Sequence, residues 1–346
     1  MWRKIFLGSA IISICLFFVV ASVGAQTTET KKYASSTNTG LYGSHTWDIA
    51  VDPNDSNHVY LATYYTPNGF FYSSDGGTTW SGLPISSDHG AGRSVEVNPV
   101  NGNVYALLND LLVSTDHGVT YTAYDQFGSG GSDLLYAQNA LFVASGEKVY
   151  KSSDEGENFS SATVCSDETV WSLASSNDTL YALCHNYTSD TDALYSSNDA
   201  GVTWTNLDID IDGITDAEGV AVNSTTNQIF LVPSSLGGST YRSADSGQTW
   251  TTLASAPASG HLTFDNTGRL YSGWYYSDDN GDNWSSFGEG GDYNHIVYPD
   301  PTDPTILYDG SSPGFQKSTD SGTTWTSSVE NITGVEVTSV SQANDK

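Results

Sequence analysis

The chain has 346 residues and carries 40 Asp and Glu against 11 Lys and Arg, a formal net charge of −29. That balance repels polyanions and so disfavours nucleic acid and anionic membrane surfaces as partners, whereas a cationic partner or calcium would suit it. The excess comes more from scarce Lys and Arg than from abundant acid, so solvated acidic loops account for it without any partner.

Residues 1–25 read as a secretory signal. Arg3 and Lys4 form a basic start, Ile5 to Val20 is apolar, and Val23-Gly24-Ala25 offers small residues for cleavage. The competing reading is an uncleaved anchor in a thin bilayer. Cleavage predicts a secreted or cell-surface protein with no membrane insertion afterwards. It leaves nine Lys and Arg against forty acids, a net charge of −31. Cys15 leaves with the signal, so Cys165 and Cys184 remain as an even pair in an oxidising compartment, and we expect them to be joined. Residues 26–45 are rich in Thr, Ser and Gly and read as a flexible segment.

A repeat occupies residues 46–328. Its marker is Ser-x-Asp-x-Gly-x-x-aromatic, first seen as Ser73-Ser74-Asp75-Gly76-Gly77-Thr78-Thr79-Trp80. The Asp recurs at Asp75, Asp116, Asp154, Asp199, Asp245, Asp279 and Asp320, six steps with a mean spacing of about 41 residues. A period between 20 and 50 residues signals a solenoid, propeller or array. The Asp side chain can accept backbone N–H groups and hold a tight turn, Gly supplies positive φ, and the closing aromatic packs. Each box therefore predicts a hairpin turn between a third and a fourth strand. A first strand ends in a turn such as Val51-Asp52-Pro53-Asn54, and a second carries an aromatic, as in His58 to Leu61. Four short strands per 41 residues match a propeller blade.

The boxes closely resemble those of the Asp-box, or bacterial neuraminidase, repeat family, which includes sialidases, xyloglucan-active glycosidases and the sortilin receptors. The resemblance implies an all-β, seven-bladed β-propeller of four-stranded antiparallel blades, in which the seven box aspartates have a structural role away from any catalytic centre. After the last box, residues 329–346 contain Gly334-Val335-Glu336-Val337-Thr338-Ser339-Val340, which looks like the first strand of a further repeat. It either supplements ring closure, packs outside the ring, or begins a longer protein.

Antiparallel order puts the strand 2–3 turns and the interblade links on the face opposite the boxes, where the resembling enzymes carry their ligand site. Aligning the repeats on the Asp52-Pro53 turn places Trp47, Asp48, Arg93, Trp171, Glu218, His261 and His295 at the starts of the innermost strands, with Asp292 just upstream. Trp faces stack on pyranose rings and charged groups bind hydroxyls. The set Trp47, Arg93, Trp171, His261 and His295 is thus a candidate ligand site for an extracellular glycan or protein, and a wet channel mouth is the plainer alternative. Asp48, Glu218 and Asp292 could supply a glycosidase carboxylate pair, as carboxylates in many proteins could. A sialidase would need three arginines around the substrate carboxylate and an Arg-Ile-Pro signature. That signature is absent, and only Arg93 of the three arginines beyond the signal lies near the mouth. The xyloglucan-active enzymes place substrate between two propellers, and this repeat makes one. A non-catalytic binding or scaffold module is therefore expected, with a glycoside hydrolase or a subunit of an extracellular assembly as alternatives.

Asp208-Ile209-Asp210-Ile211-Asp212-Gly213-Ile214-Thr215-Asp216 resembles the calcium loops of integrin propellers. Carboxylates of Asp208, Asp210, Asp212 and Asp216 can converge on one Ca²⁺, with Gly213 giving the sharp turn. Ile211 departs from the pattern, and the rival reading is an extended strand with Leu207, Ile209 and Ile211 inward at period two.

Overall fold

The structure is a computed structural model that describes residues 46–63, 69–82, 91–124, 127, 131–189, 191–209, 217–233, 239–253, 261–288, 296–310 and 315–327. They form seven four-stranded sheets, each built from four consecutive strands in antiparallel order. The fold is a seven-bladed β-propeller. The innermost strands of blades 1 to 7 are Thr46–Val51, Ser94–Val97, Gly131–Ala137, Thr169–Ser176, Ala217–Asn223, Thr263–Phe264 and Val297–Pro299. Outermost strands are short, only two residues in Ser81–Gly82, which limits the edge available for stray pairing. The signal, the 26–45 segment, the 334–340 strand, Asp210, Asp212, Asp216, Asp292 and His295 lie outside the described residues, as does the Glu218 side chain. Among the described residues no helix is long and apolar enough to cross a membrane.

The core is divided among seven interblade wedges rather than gathered in one mass. Tyr60 and Phe70 of blade 1 pack with Val95, Val104 and Leu112 of blade 2. Equivalent clusters fill every other junction, including the one between blades 7 and 1, where Trp80, Leu61 and Phe71 meet Tyr308 and Phe315. Second strands such as Val59–Thr63 are buried at every position because they lie between two sheets.

The boxes share one hydrogen-bond pattern with the serine at its centre. In the first, Ser73 Oγ donates to Asp75 Oδ1 at 2.8 Å and accepts Gly77 N–H at 2.8 Å. Asp75 Oδ1 also accepts Thr79 N–H at 2.8 Å, and Oδ2 accepts the Thr79 hydroxyl at 2.7 Å. The same contacts recur at Asp116, Asp199, Asp245 and Asp320, while at Asp154 and Asp279 an Asn amide replaces the Thr hydroxyl. The glycine has positive φ as expected, but so does the residue before it. His117, Glu155, Ala200, Ser246, Asn280 and Ser321 all lie at φ 56–64°. Two consecutive left-handed residues make the turn, and the box hydrogen bonds hold side-chain-bearing residues there.

Candidate functional site

The innermost strands carry a recurring irregularity at their first turns. Pairing with the second strand skips Trp47 in blade 1, Ser132 in blade 3, Trp171 in blade 4 and Glu218 in blade 5. Each is a β-bulge, which adds one unpaired residue to the innermost strand. The residue after the bulge in blades 1, 3 and 4, and after Arg93 in blade 2, then stitches its blade to the next. Asp48 Oδ2 accepts Val95 N–H at 2.9 Å, and Ser94 Oγ accepts Leu134 N–H at 3.3 Å. Asp133 Oδ2 accepts Leu173 N–H at 2.8 Å, and Ser172 Oγ accepts Val220 N–H at 3.3 Å. Four successive junctions use one device: a short polar side chain takes a backbone N–H that has no strand partner.

The starts of these strands line an open cavity of about 230 Å³ on the face opposite the boxes. Of the residues expected at the mouth, Trp47, Asp48, Arg93, Trp171 and His261 line it together, with Asp133 added. Arg93 is exposed and makes no ion pair with another described residue, whereas Arg242 and Arg269 are paired with Asp282 at 3.0 Å and Asp278 at 2.6 Å.

The two carboxylates in the wall are held by backbone groups. Besides Val95 N–H, Asp48 accepts Ile49 N–H at 2.8 Å and the Ser94 hydroxyl at 3.0 Å. Asp133 accepts Leu134 N–H at 2.8 Å as well as Leu173 N–H. Burial nevertheless outweighs these donors and pushes Asp48 up to about 6 and Asp133 up to about 7. Glu96, two residues along the same innermost strand as Ser94, is raised by burial and then by the charges of Asp48 and Asp133.

Blade 4 contributes a feature that alignment of the repeats did not reveal. Tyr187, on the turn after the second strand Thr179–Asn186, is 66% exposed yet held in place. It stands edge-on to Trp171, ring centroids 6.3 Å apart, and to His185 at 4.6 Å. His185 Nδ1 meets Asp192 Oδ1 at 2.8 Å, and Asp192 Oδ2 accepts Ala217 N–H of blade 5 at 2.7 Å. Asn186 Oδ1 accepts Thr188 and Ser189 N–H, fixing the turn. Cys184 is disulfide-bonded to Cys165, Cα atoms 6.4 Å apart, so the link that leads into Trp171 is tied to the strand that leads into Tyr187. Tyr187 is thus an exposed aromatic held beside Trp171 by the packing and hydrogen bonds of its turn. Of the calcium candidates only Asp208 is described, and it is exposed, at φ 53°.

No protein-family model matches the chain. A segment is 34% identical over 111 residues to the xyloglucanase of Hypocrea jecorina, covering 26% of this chain and 13% of that enzyme. Among solved structures, YCF48 bound to D1 peptide is similar with a TM-score of 0.60 at 14% identity, covering 80% of this chain and 93% of that one. An ancestral GH74 enzyme reaches 0.57 at 16% identity, over 84% of this chain and 49% of that one. PorZ, a surface component of the type-IX secretion system of Porphyromonas gingivalis, reaches 0.57 at 13% identity, over 87% and 39%. At such identities the likeness is one of fold, and this chain spans about half or less of the GH74 enzyme and PorZ.

Proposed function

We propose that this chain is a secreted or surface binding propeller, non-catalytic, whose ligand docks at the cavity opposite the boxes. One observation carries the reading. The cavity offers stacking faces from Trp47 and Trp171 and a charge from Arg93, while both carboxylates in its described wall, Asp48 and Asp133, hold the ring together through backbone N–H groups. A glycosidase needs one carboxyl group free to protonate the leaving group and a second free to attack the sugar or activate water. Aromatic walls flanked by polar groups suit a saccharide, and the YCF48 structure with its bound peptide keeps a protein ligand as the second choice.

A glycan array run beside a panel of chromogenic glycosides tests this. Binding without turnover is expected. Trp171→Ala or Trp47→Ala should weaken it about tenfold or more, in line with one lost aromatic contact. The glycoside hydrolase reading draws on the GH74 enzyme and the xyloglucanase segment. Turnover that disappears in Glu218→Gln or Asp292→Asn would establish it and remove ours. The assembly reading predicts concentration-dependent association that is lost on deleting residues 334–346, by strand addition to a neighbour's sheet.

Calcium belongs to the same proposal. If Asp208, Asp210, Asp212 and Asp216 take Ca²⁺, millimolar calcium raises the Tm by mass action and Asp210→Ala abolishes the rise. A Tm indifferent to calcium leaves the extended-strand reading.

A further inference from the structure

Cations are scarce in this chain, 11 Lys and Arg against 40 acids, and the fold puts most of the described ones to use. Arg242 and Arg269 pair with Asp282 and Asp278, Lys317 Nζ donates to Gly76 O, and Lys151 lies over the Phe142 ring. Arg93 stands apart. It is exposed in the cavity wall and has no ion pair with another described residue. Its backbone is nevertheless fixed. Gly92 N–H donates to Thr63 O of blade 1 and Arg93 N–H to Leu107 O of blade 2, both at 2.8 Å. A Cβ on Gly92 would collide with Gly69 O, so the link runs flush against blade 1 and presents Arg93 from a set position.

Tyr187 of blade 4 faces the same corner. Partial burial raises its phenol and the Arg93 charge draws it back down, which places the guanidinium within electrostatic reach of the hydroxyl. Tyr187 also stands edge-on to Trp171, which lines the cavity together with Arg93. Blades 2 and 4 thus bring a guanidinium, a phenol and an indole to one corner. This is a different construction from a three-arginine clamp.

We infer that the ligand is a largely neutral saccharide carrying a single uronic acid, with its carboxylate on Arg93 beside Tyr187 and its ring against Trp171. The inference rests on the binding reading above. The guanidinium fork matches the two oxygens of a carboxylate, and the phenol O–H adds a third donor. One acid rather than many follows from charge. A net charge of −29 repels a polyanion, but at physiological ionic strength that field is screened beyond about 8 Å, so a lone carboxylate at Arg93 meets mainly the local cation. Asp48 and Asp133 share the wall, yet their oxygens are turned to Val95 and Leu173 N–H, and burial keeps protons on them to higher pH than on exposed carboxyls.

The test uses neutral oligosaccharides bearing one glucuronic or galacturonic acid, each paired with its methyl ester, titrated calorimetrically into the full chain. Esterification removes the charge and keeps the ring, so the acid should bind about tenfold tighter or more. Arg93→Gln, at an exposed position, should bring acid and ester within about twofold of each other, and Tyr187→Phe should lower the preference about threefold. Arg93→Lys should keep part of the preference, because the charge stays and the fork is lost. Trp171→Ala should weaken acid and ester alike. A preference that survives Arg93→Gln overturns the inference, as does tighter binding of sulfated glycans or polygalacturonate. Acid and ester bound equally, or glycans without an acid bound instead, overturns it and leaves the binding reading in place. No glycan bound at all, or turnover of any, removes both.

Discussion

Replacing Trp80 with alanine is expected to destabilise the protein by about 3–5 kcal/mol, the range for a large aromatic removed from a packed core. Trp80 is 2% exposed and meets Phe315 of blade 7 edge-on, ring centroids 4.6 Å apart. It shares a cluster with Ile49, Val59, Leu61 and Tyr308. This junction closes the ring, and among the described residues no strand crosses it, because blades 1 and 7 each supply their own four strands. Closure rests on side chains and on Lys317 Nζ donating to Gly76 O at 2.7 Å. Gly77 is part of the design, since a Cβ there would sit 2.8 Å from Phe315 Cε1. Urea denaturation should show the loss as a lower midpoint, with Tm down by about 10 °C. Trp250 holds the same place in the fifth box but is only part-buried, so Trp250→Ala should cost less. Equal losses at the two positions would sink the argument that closure is the sensitive junction. Hydrogen exchange in Trp80→Ala should rise first in Thr46–Val51 and Gln316–Ser318, the strands flanking the gap.

What could be read from the sequence was what is local or repeated. The box turn is closed by contacts no more than four residues apart, such as Asp116 to Thr120, so seven copies announced seven blades. Alignment of repeats then brought Trp47, Arg93, Trp171 and His261 to one mouth, because equivalent positions in a ring share a face. What stayed hidden depends on partners far along the chain. Asp48 looked like a free carboxylate, yet its Oδ2 accepts from Ser94 and Val95, 46 and 47 residues away. Asp133 is its counterpart two blades on and carried no separate signal. The bulges at Trp47, Ser132, Trp171 and Glu218 exist only relative to a neighbouring strand. Tyr187 sits in the turn between the second and third strands of blade 4, away from the positions used to align the repeats. The serine of the box was visible in every copy, but its place at the centre of the turn needed coordinates.

Thermal stability should peak near pH 4 to 5 and fall on both sides, and the two limbs have different origins. Asp116, Asp199 and Asp245 are held down to about 2, first by the hydroxyls of Thr120, Thr203 and Thr249 and then by the same residues' N–H groups. A carboxyl whose folded pKa lies below its unfolded value of about 3.9 stabilises the fold above that value and ceases to as pH drops toward 2. The buried carboxyls act in the opposite sense. Asp48 and Asp133 are pushed up to about 6 and about 7, and Glu96 is raised with them. Their protonated forms favour the fold below pH of about 4, and that contribution is lost as pH climbs through about 6 to 7. Self-repulsion from a net charge of −29 deepens the same limb. Calorimetric Tm values from pH 3 to 9 test the profile, and Asp48→Asn separates the causes. The amide keeps an acceptor for Val95 N–H but cannot ionise, so it should make the alkaline limb shallower by the share of Asp48 and leave the acid limb untouched. A Tm that rises to a plateau at pH 7 in the wild-type chain would show that the stitching carboxylates are ionised without cost, and the burial argument would then fail.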